Sequence, residues 1–519
     1  MDKCTTSIHS DGKAVRLIIT AALSLAAISL HFTILAADRT QGAERLRRTA
    51  AEASSGQALK NSVSGILIMT ADGDTLVALN PEKTLLPASN MKAITTGAAL
   101  HMLGGEYRFR TGLGYSGTIK DGILNGDLYI TGGADPTLAS DDSIAEPLDS
   151  IFGQWSDMIS AAGIKEICGH IIGDDRIFDS SMEEDTWLWN DIGTYYGSGT
   201  SGLSFFENKK DFTVYPAKTP GEALRVEPGY PETPWMTYSF PCTAGEKGSG
   251  NRLYYYTSPF SAYGEMRGTY AIDRGIRTEE GSNKFPAYTC AWYFCRYLES
   301  RGISCTEGPA SSGGLFGCTP ERLVEQEDLA EIGYTLSPEL SRIAFETNHE
   351  SNNFFAETIF KTLGKTYAGD GSYEGGRKAL GKILSQMGVP ASGIKIQDGS
   401  GLSRQNYISP AFFCRFLRAM LDSPAADDFI RSLPSPGSDG TLSYILNGTP
   451  IKDKLRMKVK SGSMDGTLCY CGYVFPANEG GEVLIFSIMT NNSTSSAYRV
   501  RKEIEKILRA LLTCEQTPA

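Results

Sequence analysis

Gly65-Ile66-Leu67-Ile68-Met69-Thr70-Ala71-Asp72-Gly73-Asp74-Thr75-Leu76-Val77-Ala78-Leu79, and then Pro87-Ala88-Ser89-Asn90-Met91-Lys92, form the stretch on which the fold turns. Two apolar runs flank an Asp-Gly turn, the pattern of a β-hairpin. Pro87-Ala88-Ser89 leads into Met91–Leu103, rich in Ala, Met and Leu, and Gly104-Gly105 stops it. That composition predicts a largely buried helix. The other end of the chain repeats the theme. Leu468–Phe475 and Val483–Thr490 flank Asn478-Glu479-Gly480-Gly481, a second hairpin signal. After it, Val500, Ile504, Ile507, Leu508, Leu511 and Leu512 make one apolar helical stripe, expected to face a sheet. Hairpin and helix at both ends imply one discontinuous α/β domain rather than domains in series.

Between these ends the texture changes. From about 108 to 330, glycine and tyrosine are frequent and short strand-like runs alternate with turns. Gly126-Asp127-Leu128-Tyr129-Ile130 before Gly132-Gly133 is one example. This reads as β-rich inserted material. Within it, 209–281 carries Pro216, Pro220, Pro228, Pro231 and Pro234 with little helical periodicity, consistent with a separate small β-domain. Helical patterning returns after Ser337, in Leu340–Phe345 and Phe354–Phe360 around an Asn348–Asn353 connection, then in Arg377–Met387 and Pro410–Leu421.

Composition narrows the function. At 519 residues with 41% hydrophobic and 21% charged residues, the chain can build large cores. A net charge of −11 without a Lys/Arg-rich block argues against nucleic acid. Only five histidines occur, His9, His31, His101, His170 and His349, with no HExxH or HxH pair. No CxxC occurs among the eleven cysteines, so neither a metal nor a cofactor is expected. A hydrolase so poor in histidine would use another base. At the N-terminus, Lys13 and Arg16 precede an apolar run from Leu17 to Ala37. Residues 1–37 read as a secretory signal or an uncleaved anchor, so export to the periplasm or cell envelope is expected, with membrane association if the segment stays.

Three short motifs follow one another. They are Ser89-Asn90-Met91-Lys92, Ser351-Asn352-Asn353 and Lys460-Ser461-Gly462, that is S-x-x-K, S-x-N and K-[ST]-G. Each alone is weak. S-x-x-K recurs at Ser10–Lys13 and Ser392–Lys395, and S-x-N at Ser249–Asn251. Context gives them weight: Ser89 opens a buried helix after a hairpin, and Lys460 opens the run that feeds the last hairpin. Positions i and i+3 share a helix face, so Ser89 and Lys92 can meet. A serine nucleophile needs a base beside it, and a buried lysine can serve. First-turn amides can help bind an oxyanion.

With these motifs the chain resembles the low-molecular-mass class C penicillin-binding proteins, the D-alanyl-D-alanine carboxypeptidase/endopeptidases of peptidase family S13. The resemblance runs from about Gly65 to Leu512. It includes the separation of 262 positions from Ser89 to Ser351, Gly126–Leu138, Trp189-Asn190-Asp191 with Tyr195-Tyr196-Gly197, Asp398-Gly399-Ser400-Gly401-Leu402-Ser403-Arg404 and Ser435–Leu442. It implies a serine β-lactamase/transpeptidase-like α/β domain, an antiparallel five-stranded sheet with a helical subdomain, over 38–107 and 333–519. Domain II would occupy 108–208 and 282–332, and domain III, nested in it, 209–281. It implies that Ser89 attacks the D-Ala-D-Ala carbonyl of peptidoglycan stem peptides and forms an acyl-enzyme. Lys92 would be the base; Ser351 and Asn353 would shuttle the proton and orient the substrate. Lys460 would hold the terminal carboxylate and depress the Lys92 pKa. Ser461 stands where threonine is commoner and keeps a hydroxyl for that carboxylate. Gly462 completes the third motif, and the N–H groups of Ser89 and Ser463 would form the oxyanion hole. β-Lactams, which mimic acyl-D-Ala-D-Ala, would acylate Ser89. Asp174, Phe178, Arg404 and Asp465 match positions that contact the stem side chain in relatives; Asp465 replaces an expected glutamine. His349 is expected as a helix-end or loop residue, and Trp187, Trp189 and Tyr195-Tyr196 as packing between inserted domains. The rivals are a β-lactamase using the same Ser-Lys chemistry and a non-catalytic cell-wall-binding protein of the same fold.

Overall fold

The computed structural model describes residues 41–514, apart from 392, 439, 479 and 480. The segment read as a signal or anchor, 1–37, lies outside the described residues. Among the described residues no helix is long and apolar enough to cross a membrane.

Both predicted hairpins form and join. Val63–Thr70 (β1) and Thr75–Leu79 (β2) are the first; Met457–Met464 (β3), Thr467–Val474 (β4) and Leu484–Asn491 (β5) complete an antiparallel sheet in the order β3-β4-β5-β1-β2. Every residue of β4 and β5 is buried, so both sheet faces are covered. Alternation sorts the side chains. Cys469, Cys471, Tyr473, Ile485 and Met489 enter one core, and Leu468, Tyr470, Phe486 and Ile488 the other.

A helix over 41–55 (α1) and the C-terminal helix Ala497–Cys514 cover the second face. The expected stripe from Val500 to Leu512 is buried there with Leu46, Ala50 and Ala53. Each large aliphatic side chain so buried contributes about 2 kcal/mol. The first face carries the helical subdomain. Its central member is Met91–Leu103 (α2), buried at every residue from Met91 to Leu100. Around it stand Leu340–His349 (α3), Asn353–Ala368 (α4), Tyr373–Gln386 (α5) and Pro410–Leu421 (α6). Asn352, Ser372 and Ser409 cap α4, α5 and α6 by accepting a first-turn N–H.

The insert is β-rich, as its composition implied. Gly308–Ser311, His170–Asp174, Leu128–Thr131, Arg110–Tyr115 and Ala330–Leu336 form one sheet, in that order. Phe152 and Trp155 of Leu148–Ala161 meet Phe294 of Pro286–Ser300 in its core. The innermost unit begins with Lys209–Tyr215 and closes with its antiparallel partner Arg277–Ser282. One expected boundary moves. The 332/333 division falls inside Ala330–Leu336, and its pairing with Arg110–Tyr115 puts that whole strand with the insert. It is the edge strand of that sheet, with Ala330, Glu331, Tyr334 and Leu336 exposed.

Candidate active site

Ser89 sits where the chain turns into α2. Ala88–Asn90 form a single 3₁₀ turn that runs straight into that helix. Ala88, one residue before the serine, takes a left-handed backbone with φ 46°. For a non-glycine residue that costs about 1 kcal/mol or more, and such strain collects at functional sites. Lys92 follows on the same face. Its Nζ lies 3.0 Å from Ser89 Oγ, 2.6 Å from Asn353 Oδ1 and 2.9 Å from the Ser400 carbonyl oxygen. Lys92 is fully buried, and burial lowers its pKa from 10.5 to about 7 against the opposing charges of Glu357 and Asp398.

The second motif lies in the short link from α3 to α4. Ser351 there has φ 59°. Asn353 opens α4, and its Nδ2 donates to the Tyr196 carbonyl at 2.8 Å. That bond settles the amide orientation and leaves Oδ1 for Lys92. Lys460 Nζ, on β3, donates to Ser351 Oγ at 3.0 Å and to the Ser461 carbonyl at 2.9 Å. Its pKa is held well below the ordinary lysine value, first by burial and then by the charge of Lys92. Lys460 was expected to depress Lys92. Burial is the largest cause of the low Lys92 pKa, and the repulsion between the two buried lysine charges acts beside it.

β3 is the edge of the sheet. The Val459 N–H is donated to the Pro434 carbonyl at 2.9 Å, away from β4. Side alternates along a strand, and the β3–β4 register is unbroken from Met457 to Met464. The N–H groups of Ser461 and Ser463 therefore also leave the free edge. Gly462 between them faces the start of α2 so closely that a Cβ would lie 2.6 Å from Pro87 O and 2.9 Å from Ser89 N. Strand edge and helix N-terminus are thus in direct backbone contact. Thr441, from the loop that precedes the third motif, shares a hydrogen bond of 3.2 Å with Ser461 Oγ.

The Asp398–Ser403 loop closes the floor. Asp398 accepts from the Gly401 and Ser403 amides, from Asn406 Nδ2 and from Trp187 Nε1. Glu357 of α4 accepts from the Gly399 amide at 2.9 Å and the Ser400 amide at 2.8 Å. The arrangement suits one chemistry. A neutral lysine amine has two N–H groups and one lone pair. Asn353 Oδ1 and the Ser400 carbonyl can only accept, so they take the two N–H groups. The lone pair is left for the Ser89 hydroxyl, which is the geometry of a base facing its nucleophile.

A profile of the D-Ala-D-Ala carboxypeptidase 3 (S13) family matches residues 46–252 and 310–511. The chain is 31% identical over 462 residues to a D-alanyl-D-alanine carboxypeptidase of Actinomadura sp. strain R39, covering 85% of this chain and 80% of that one. The chain belongs to the S13 family. It is 24% identical to the D-alanyl-D-alanine carboxypeptidase DacB of Haemophilus influenzae, over 78% of this chain and 80% of that protein. The crystal structure of penicillin-binding protein 4 (DacB) from that organism shares the fold, with a TM-score of 0.75 at 21% identity, covering 89% of this chain and 98% of the other.

Within this S13 member, the five motif residues meet at one edge of the catalytic sheet. Two of the four expected stem contacts do not join them. Asp174 is wholly buried at the end of an insert strand, where it accepts from Arg176 Nε and Nη2 and from Gln326 Nε2. Its carboxylate is an internal anchor, not a surface for substrate. Phe178 is also buried, with the Lys361 ammonium 4.9 Å from its ring centroid, and so packs the insert onto α4. Arg404 and Asp465 are exposed. Arg404 follows the loop that holds Lys92, and its charge pulls down the Asp191 carboxyl, which burial otherwise raises. Asp465 lies in the turn after β3.

His349 ends α3, with its ring stacked on Phe345 at 3.7 Å. Trp187 is buried on Asp398, and Trp189 stacks on Tyr256 of the innermost domain. Sequence reasoning missed Glu357, the Ser400 carbonyl, the Tyr196 carbonyl, and Glu207, which accepts from Asn352 Nδ2 at 2.9 Å. Only Glu357 left a trace in the sequence: it is the one acid in the apolar run Phe354–Phe360.

Proposed function

We infer that this chain is a serine-type D-Ala-D-Ala carboxypeptidase that acts on peptidoglycan stem peptides through an acyl-enzyme on Ser89. The observation that carries the reading is the three-partner setting of Lys92, which leaves its lone pair for Ser89. Lys92 takes the hydroxyl proton as Ser89 Oγ attacks the carbonyl of the penultimate D-Ala. The carbonyl oxygen becomes an oxyanion between the N–H groups of Ser89 and Ser463, where each donor is worth about 3–4 kcal/mol. The proton that Lys92 took is relayed through Ser351, held by Lys460, to the departing amine as the C–N bond breaks, which leaves Lys92 neutral again. Water then hydrolyses the ester with Lys92 again as base. Lys460 and the Ser461 hydroxyl receive the terminal carboxylate, and Asn353 orients the peptide amide. Arg404 and Asp465 reach the stem side chain from the rims of the same elements.

β-Lactams acylate the same serine; the Haemophilus protein has been solved in complex with one. Endopeptidase action on cross-links would use the same acyl-enzyme on Ser89. The N-terminal apolar run supports export of the enzyme to the cell envelope. Incubation with fluorescent penicillin tests the reading. A covalent label on wild type that is lost in Ser89→Ala is expected. No label on wild type, or full labelling of Ser89→Ala, overturns it. Slow deacylation separates the peptidase from a β-lactamase, and D-Ala release from purified muropeptides separates it from a non-catalytic wall-binding protein.

A further inference from the structure

Glu357 has a role that the three motifs leave unassigned. It lies on α4 one turn beyond Asn353, within a run of helix buried at every residue from Phe354 to Gly364. A carboxylate in such surroundings is costly unless its oxygens are fully used. Both are: Oε2 accepts the Gly399 amide and Oε1 the Ser400 amide. The far side of that same stretch of backbone, the Ser400 carbonyl, accepts Lys92 Nζ. The Gly399 carbonyl is taken by Thr95 Oγ1 of α2 at 2.7 Å. The Gly399–Ser400 peptide is therefore clamped on one side by Glu357 and on the other by α2, and it fixes the next peptide, whose Ser400 carbonyl faces Lys92 and whose Gly401 amide is held by Asp398.

We propose that Glu357 is a positioning residue for acylation: its carboxylate aims the Ser400 carbonyl at Lys92, and its charge governs the proton on that lysine. The proposal rests on the Ser89–Lys92 reading above. The groups that face Lys92 are Ser89 from its own turn, Asn353 and Glu357 from α4, Asp398 and Ser400 from the loop, and Lys460 from β3. Those that bear on Glu357 are Asp398, Lys361 one turn on, and Tyr373 of α5. Burial and then the charge of Asp398 push the Glu357 carboxyl up, while burial brings Lys92 down. A negative Glu357 favours a protonated Lys92.

The sign of the test follows. Glu357→Gln keeps the shape, removes the charge and turns an NH₂ toward one of the two amides. Lys92 then loses its proton at lower pH. The acid limb of the pH profile for penicillin acylation moves down by about one unit or more. The plateau falls about tenfold, because one amide loses its acceptor. Glu357→Asp keeps the charge but retracts it: the plateau falls and the limb moves much less. A merely structural acceptor would lower the plateau in both variants with the limb unmoved, and that result overturns the proposal. If Glu357→Gln does not fold, by its circular dichroism and thermal transition, infrared difference titration of wild type decides. A protonated-carboxyl band that appears as acylation declines supports the proposal; no carboxyl titrating across that limb overturns it. A wild type that takes no label at any pH overturns the acyl-enzyme reading, and this proposal with it. A labelled wild type with an unmoved limb in Glu357→Gln overturns this proposal alone.

Discussion

Gly462→Ala isolates the contact between the sheet edge and the nucleophile. An alanine Cβ there would lie 2.6 Å from Pro87 O, 2.8 Å from Asn90 N and 2.9 Å from Ser89 N. Ordinary contacts of this kind begin near 3.4 Å, so the two elements must part by about 0.5–0.8 Å. All three neighbours are backbone, and no rotamer change can relieve them. β3 cannot slide, because eight residue pairs fix its register on β4. What gives is the spacing between the Ser463 and Ser89 amides, the pair assigned to the oxyanion. Misplacement approaching 1 Å costs about 10²-fold in rate, and loss of one oxyanion donor about 10²–10³-fold. Overpacking of this kind costs about 1–3 kcal/mol of stability, which a domain with two large cores survives. The expected outcome is a folded protein acylated by fluorescent penicillin at least about 10²-fold more slowly. D-Ala release from a diacyl-D-Ala-D-Ala peptide should fall in parallel. Acylation within threefold of wild type, with an unchanged thermal transition, would refute the argument that this edge forms half of the oxyanion site.

Two further outcomes follow from the geometry. Acylation should rise with pH through about 7 and then level, because Lys92 must be neutral to take the serine proton. A rate constant for penicillin acylation that stays flat from acid to alkaline pH would sink lysine as the base. Asp174→Ala should cost about 2 kcal/mol in denaturant unfolding, less than a fully buried ion pair because Arg176 is partly exposed. The same variant should leave KM for stem peptide unchanged; a large KM rise at intact stability would restore Asp174 as a substrate contact.

Local patterns made the catalytic domain legible. The β1–β2 hairpin, α2 and the C-terminal stripe each follow from a period and a turn within a dozen or so residues, and each formed where expected. The Ser-Lys pair was legible for the same reason: i and i+3 on a helix are neighbours by construction. The misreadings are non-local. Nothing near Asp174 announces that Gln326, more than a hundred residues on, donates to it and fills its last acceptor position. The Ala330–Leu336 strand is half exposed, and only its partner Arg110–Tyr115 makes it a strand. Backbone carbonyls such as Ser400 and Tyr196 leave no mark in a sequence, because every residue has one.

The insert then has a physical reason to sit where it does. Lys92 is tuned by groups whose positions depend on it. Asn353 is oriented by the Tyr196 carbonyl, and the cap of its helix, Asn352, is tied to Glu207. Asp398, which knots the loop beneath Lys92, takes one hydrogen bond from Trp187. Lys361, one turn beyond Glu357 on α4, is bonded to Asp179 and the Ser181 carbonyl. Tyr196, Glu207, Trp187, Asp179 and Ser181 all belong to the insert, and their partners all belong to α4, its N-terminal cap or the loop it supports. In the reading proposed above, three separated motifs supply the reacting groups, while burial of Lys92 and the aim of its acceptors rest on α4 and the 398–403 loop, which the insert holds from the outside. The long span between the first two motifs is therefore part of the scaffold that keeps a lysine dry enough to shed its proton near neutral pH and so activate a serine.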